Sequence, residues 1–284
     1  MGKLLSLKIK SEQHFSRCIN LWRRALNLPF FLSIAHELHN SSDLITDVAA
    51  SNKVIIAGNG PSFNLLGSCI GDLHSVDIIT SNYAYKSPFF RSLSPKLHFI
   101  IDSKIVSGIW SLDMIDEVLA ISPSTVIVLD ARWKHLSEFH RFRDNPHIAW
   151  IMPIYYPSYY SNPKRLSFVS GFHGLNVTAC AFSVASILGY KSLAFIGVEA
   201  DGLFREIIDT PSHFYSELKK DQSMSSYESM IDSLYLSSYA LYAWSGFVRS
   251  VEAQGIDVSN LSDQGIFDVC KRQKLDNFIV SDYS

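Results

Sequence analysis

Cysteine is scarce in this chain of 284 residues: there are four, Cys18, Cys69, Cys180 and Cys270, far apart and with no C-x-x-C pair. That spacing excludes a zinc ribbon and a disulfide framework, and it fits a reducing cytoplasm. Excess charge is missing too. Twenty-five Lys and Arg against 27 Asp and Glu leave a formal net charge of −2, which gives no support for nucleic-acid binding. No run reaches the roughly 18 apolar residues that a membrane span needs. The start of the chain lacks the charged, then apolar, then small order of a signal peptide, so none is expected. There is no internal repeat and no low-complexity tract. What the chain does have is apolar material: 47% hydrophobic and 18% charged, ample for a folded core.

The stretch Val54-Ile55-Ile56-Ala57-Gly58-Asn59-Gly60-Pro61-Ser62 organises the rest. An apolar β-branched run that ends abruptly at glycine reads as a buried parallel strand. Gly58 and Gly60 allow a tight turn and close backbone approach, and Pro61 suits the first position of a helix. Strand, turn and helix start predict free amides and a dipole facing a phosphate, with the Asn59 side chain beside them. Neither the dinucleotide fingerprint nor a P-loop is met: Phe63 stands at the third glycine position, and no Gly-Lys-Ser/Thr follows. A plain strand-to-helix turn would have the same sequence.

Further apolar runs follow at Asp77–Thr80, Leu97–Ile101, Thr125–Leu129 and Leu193–Val198, and Ile256–Val258 is a candidate last strand. Polar residues recur just past their carboxyl ends, the edge where open parallel sheets bind ligands. The alternation predicts an α/β fold, Rossmann-like and doubly wound, with a mostly parallel sheet and helices on both faces. Residues 176–190 read as a helix apolar nearly all round, lying deep against the sheet and stopped by Gly189. A long helix is expected from about Tyr227 to Gln254, closing at Gly255.

Residues 1–50 form a separate helical appendage and residues 51–284 the main domain. Around Trp22, Arg23 and Arg24 the aromatic-plus-basic mix fits a helix packed on that domain, the preferred reading, or a membrane-surface helix. Two stretches read as lids: 151–167, crowded with Tyr155, Tyr156, Tyr159 and Tyr160, and the polar segment 203–230.

In order along the chain stand Gly58-Asn59-Gly60-Pro61-Ser62, Ser81-Asn82-Tyr83-Ala84-Tyr85, Leu188-Gly189-Tyr190-Lys191 leading into Ile196-Gly197-Val198, and His213-Phe214-Tyr215. This series resembles the bacterial CMP-sialic acid sialyltransferases of the Campylobacter lipooligosaccharide type. It is also similar to the MptE-like hydroxymethylpterin pyrophosphokinases and to the motility accessory factors that glycosylate flagellin. The likeness spans about residues 53–270; its first motif is specific and the others are short.

The resemblance implies a nucleotide-binding domain in which Gly58, Asn59, Gly60, Pro61, Ser62 and Asn82 hold CMP. It implies His213 as the base on an acceptor hydroxyl, with Tyr215 stabilising the departing phosphate. The expected partners are a nucleotide-sugar donor and a glycan or lipid-linked acceptor in surface-glycan assembly. No cofactor is required on that reading. Peripheral contact with the inner membrane face and homo-oligomerisation stay open. Two departures matter. Val177-Thr178 stands where the sialyltransferases have Ser-Gly, and Asp102 follows the third strand where they have no acid. The pyrophosphokinase branch carries an aspartate there, so Asp102 could hold Mg2+ in a diphosphokinase; an N-cap is the alternative use of that residue. A non-catalytic nucleotide-binding scaffold is the third reading. His173 is a second candidate base.

Overall fold

A computed structural model of the chain describes residues 28–154, 167–168, 172–173, 176–200, 213–214 and 227–281. Its centre is an eight-stranded sheet: β1 (Lys53–Ala57), β2 (Val76–Ser81), β3 (Leu97–Ile100), β4 (Val126–Asp130), β5 (Ile148–Ile151), β8 (Ser192–Ile196), β9 (Asp257–Asn260) and β10 (Lys271–Arg272). The two-residue strands β6 (Pro153–Ile154) and β7 (Phe172–His173) form a separate parallel pair. The helices used below are α1 (Leu28–Asp47), α2 (Asp113–Ile121), α3 (Val177–Ala185), α4 (Tyr227–Glu252) and α5 (Leu275–Val280).

The strand order is β10-β9-β8-β1-β2-β3-β4-β5, and every pairing is parallel. From β1 the chain builds outward to β5, then returns to place β8 on the other side of β1. The order therefore reverses between β1 and β8, and ligands in such sheets bind outside the carboxyl ends at that reversal. All five runs predicted as strands from Val54 to Val198 lie in this sheet, and the candidate last strand is β9. Strands β5 and β10 were not anticipated: one is a four-residue run behind Asn145-Pro146, the other an exposed Lys-Arg pair at the sheet edge.

Register shows why both faces carry helices. Phe195 pairs with Ile56 and packs with tilted rings against Phe182 of α3 and Trp244 of α4, at centroid distances of 4.9 and 5.2 Å. Lys53, three positions before Ile56 and so of opposite parity in β1, points to the other face. Its Nζ donates to the carbonyls of Phe278 and Ile279 in α5, both at 3.0 Å. A buried ammonium is tolerable there because it caps a helix C-terminus. Helix α3 is capped by Asn176, which accepts the Ala179 N–H at 2.7 Å, and its residues Ala179 to Ala185 are buried, as its composition predicts. Gly189 and Gly255 close the turns that follow α3 and α4, at φ +85° and +83°, left-handed values that glycine permits.

Helix α1 packs against β5, where Ser41 Oγ accepts the Trp150 N–H at 2.8 Å. Residues 1–27, most of both expected lids, and Tyr215 lie outside the described residues. Among the described residues no helix is long and apolar enough to cross a membrane.

Candidate functional site

The glycine turn after β1 meets a second turn after β8. Gly58 and Gly60 donate their N–H groups to the carbonyls of Ile196 and Gly197, each at 2.8 Å. A Cβ at Gly58 would lie 2.4 Å from the Gly197 oxygen, and one at Gly197, whose φ is +66°, would lie 2.6 Å from the Gly58 oxygen. Two backbones pressed this closely leave no room for side chains. The buried Glu199 then folds onto the turn: its Oε1 accepts the Ser62 N–H at 2.8 Å. A Cβ at Gly60 would fall 1.5 Å from Glu199 Oε2. Ser62 Oγ donates to Asp263 Oδ1 at 2.7 Å, and Ile266 N–H donates to the Glu199 carbonyl at 2.8 Å.

This corrects one expectation. The amides of Gly58, Gly60 and Ser62 do not face a phosphate; all three are bonded within the protein, and Phe63 N–H goes to the Gly60 carbonyl at 3.0 Å. Pro61 has no N–H to offer. A carboxylate holds the turn that the sequence pattern reserves for an anion, because strand-turn-helix spacing is the same whether a ligand or a neighbouring acid answers those amides.

Unsatisfied groups lie on both sides of that turn. Asn59 Oδ1, Ser81 Oγ, Asn82 Oδ1 and His98 Nε2 are buried side-chain polar atoms with no hydrogen-bond partner. Native structures have few such atoms, and each costs about 1–3 kcal/mol. Three of the four follow or end the adjacent strands β1 and β2. The remaining orphan among the described residues, Trp150 Nε1, is away on the edge strand β5. Asn82 is also held at φ +48°, a left-handed conformation that costs a non-glycine residue roughly 1–2 kcal/mol. A left-handed backbone and an orphaned buried oxygen thus fall on one residue. Beneath it, His98 Nδ1 lies 2.8 Å from Thr80 Oγ1, and complete burial pushes the imidazole pKa down to about 3.

The late loop reaches the same place. Phe214 N–H donates to the Asn59 carbonyl at 3.0 Å, and the Phe214 ring stacks on Phe63 at 4.6 Å. That anchors His213 beside the glycine turn. The His213 side chain keeps an exposed surface, yet the protein around it lowers its pKa from the ordinary value; the nearby Lys104 charge adds to this, and a hydrogen bond to the Asn59 backbone opposes it. The lowered pKa leaves the ring neutral at pH 7.

Solved structures of bacterial sialyltransferases are similar to this chain. A CstII structure from Campylobacter jejuni with cytidine-5'-monophosphate has 18% identity and a TM-score of 0.46, covering 82% of this chain and 88% of that one. A CstII structure with the substrate analogue CMP-3FNeuAc has 17% identity and a TM-score of 0.43, over 82% and 89%. The monofunctional alpha-2,3-sialyltransferase Cst-I from the same organism has 13% identity and a TM-score of 0.45, over 82% and 83%. No protein-family model matches the chain, and no curated protein matches it.

His213 lies by Asn59 past the carboxyl end of β1, and Asn82 follows the adjacent strand β2. Asp102 lies after β3, where its Oδ1 accepts the Lys104 N–H at 2.9 Å, the N-cap-like use of that residue. His173 lies on β7; its side chain, like Tyr215, is outside the described residues. Among the described residues no three His, Cys, Asp or Glu side chains are grouped as metal ligands. Sequence reasoning missed Glu199 and Asp263. The available signal for Glu199 was its position just past the strand neighbouring β1.

Proposed function

We propose that the protein is a glycosyltransferase that moves a sugar, a sialic acid-like nonulosonate, from a CMP-activated donor to a glycan acceptor. The observation that carries this reading is the Phe214–Asn59 hydrogen bond, which sets His213 beside the turn after β1, with the orphaned amide oxygens of Asn59 and Asn82 past the carboxyl ends of the adjacent strands β1 and β2. Two orphaned amide oxygens suit the hydroxyl and amino donors of a ribose, a base or a sugar. A half-turn of either amide presents its N–H groups instead.

His213 is the base. As the acceptor oxygen bonds to the anomeric carbon, its proton passes to His213. The bond from that carbon to the phosphate oxygen breaks, and CMP leaves with the electron pair. A ring held neutral at pH 7 is the form that accepts a proton. The likeness of the Gly58–Ser62 and Ser81–Tyr85 motifs to the sialyltransferases supports the choice of CMP over other nucleotides.

The test combines nucleotide binding with transfer. CMP, UDP, GDP, AMP and ATP are compared by thermal shift, each with and without magnesium, since a ligand of the native state raises Tm by mass action. Transfer is then followed from a panel of CMP-sugars to lipooligosaccharide-type acceptors. Stabilisation by CMP without metal and release of CMP on transfer are expected. Stabilisation by ATP only with magnesium would replace this reading with a diphosphokinase using Asp102. Binding of CMP with no transfer would favour a scaffold.

A further inference from the structure

The edge strand β5 carries an unanswered group of its own. Trp150 is 2% exposed, and its indole Nε1–H has no hydrogen-bond partner. It stands four strands from β1, roughly 19 Å across the sheet at the usual strand spacing, and so apart from the glycine turn. An indole nitrogen only donates, so whatever satisfies it is an acceptor. Trp150 lines a cavity of about 300 Å³ between α1, the turn that follows β4 and the segment leading into β5. That volume falls at the lower end of small-molecule sites and exceeds what a bare ion fills.

The other walls supply donors as well. Ser41 Oγ of α1 accepts the Trp150 backbone N–H at 2.8 Å, which leaves its hydroxyl proton to be donated. The half-buried Arg143 gives its Nε–H to the Lys134 carbonyl at 2.6 Å, a bond that fixes the guanidinium and spends only one of its five N–H groups. Lys134 Nζ lies 5.9 Å from the centre of the Trp150 ring, so a second cation stands at the same wall. Against these the cavity has one acid, the exposed Asp144. Asn145 adds an amide suited to hydroxyls, and Leu44 an apolar side. A buried orphan donor, a hydroxyl proton and a fixed guanidinium around one cavity suit an oxyanion carried on a polar body.

We propose that this cavity is a second binding site, for a ligand of monosaccharide size bearing one carboxylate or phosphate. Arg143 and the Trp150 and Ser41 donors take the oxyanion, and the amide takes sugar hydroxyls. A carboxylate and a phosphate make the same bonds here, so probes of both kinds are needed. The site is independent of the nucleotide reading above and holds an acidic sugar away from the reacting edge.

The experiment is calorimetric titration of the full chain with glucuronate, glucose-1-phosphate, glucose and inorganic phosphate, in wild type, Arg143→Gln, Trp150→Phe and Asn59→Ala, with folding of each checked by melting. Wild type is expected to bind at least one of the two acidic sugars about tenfold or more tightly than glucose and inorganic phosphate, the scale of one charge-assisted hydrogen bond. The tighter of the two names the group. Arg143→Gln should erase the preference over glucose. Trp150→Phe keeps an aromatic ring and drops the N–H, and should weaken the acidic sugar about fivefold or more. Asn59→Ala should bind it as wild type does. No preference for an acidic sugar in wild type would mean that water alone answers the indole, and overturns the assignment. Undiminished binding in Arg143→Gln or in Trp150→Phe overturns it too, as does loss in Asn59→Ala, which would put the probe at the glycine turn.

Discussion

Glu199 and Gly60 occupy one space: the carboxylate that accepts the Ser62 N–H has its other oxygen where a side chain at position 60 would begin. Gly60 itself has φ −73°, so alanine there is penalised by contact and not by conformation. Gly60→Ala should destabilise by about 1–3 kcal/mol through overpacking. Glu199→Ala should cost about 1–3 kcal/mol by leaving the Ser62 N–H unanswered. The double variant should be less destabilised than the sum, since removing Glu199 clears the shortest contacts and leaves only the 2.8 Å approach to the Gly197 oxygen. Urea unfolding of the four proteins measures this coupling; strict additivity would mean the two residues do not share that space.

Asn82 gives a second contrast. Its φ of +48° is one that glycine adopts without strain and alanine does not. Asn82→Gly should therefore be more stable than Asn82→Ala by roughly 1 kcal/mol, although glycine loses more entropy on folding. Both should lose most of the CMP-induced rise in Tm, because neither has the amide. Equal stability of the two variants would place the strain elsewhere.

His98 sets an acid response. Its folded pKa, about 3, lies below the unfolded value of 6.5, so between these the unfolded chain holds a proton that the folded chain does not. Stability therefore falls as pH drops through that window, by about 1.4 kcal/mol per unit from this residue alone. His98→Leu should lower stability at pH 7, since Thr80 loses its partner, yet flatten the slope between pH 6 and 4 by about one proton. An unchanged slope would show that His98 is not the group responsible.

His213→Ala and His213→Gln should each reduce transfer by about 10²–10⁴-fold, the usual contribution of a positioned base, with little change in CMP affinity. Because the folded pKa is lowered, wild-type turnover should hold through neutral pH and decline only below the ordinary histidine range. Initial rates and calorimetry on the same preparations check both statements. Full turnover in both variants would remove His213 from the chemistry and make His173 the next residue to replace.

The parallel sheet was readable because its central strands are buried on both faces, so Val54–Ala57 and Leu193–Ile196 appear as unbroken apolar runs. The edges were not: β10 is two exposed basic residues with no apolar signature. At the site, Asn59, Asn82 and His213 could be named from motif order. The fate of the turn amides could not, because it depends on Glu199, 137 residues away from Ser62 and adjacent only once β8 pairs with β1.

The central claim is that a CMP-bearing ligand sits against Asn59 and Asn82 at the carboxyl edge of the sheet. Calorimetric titration of CMP into wild type and Asn59→Ala tests it most directly. Asn59 Oδ1 is buried without a partner, so a ligand group that satisfies it should matter. The account predicts metal-independent binding to wild type and a loss of about 1–3 kcal/mol in Asn59→Ala, with an unchanged melting temperature in the absence of ligand. Equal CMP affinity in the two proteins, or no CMP binding to wild type, would contradict it.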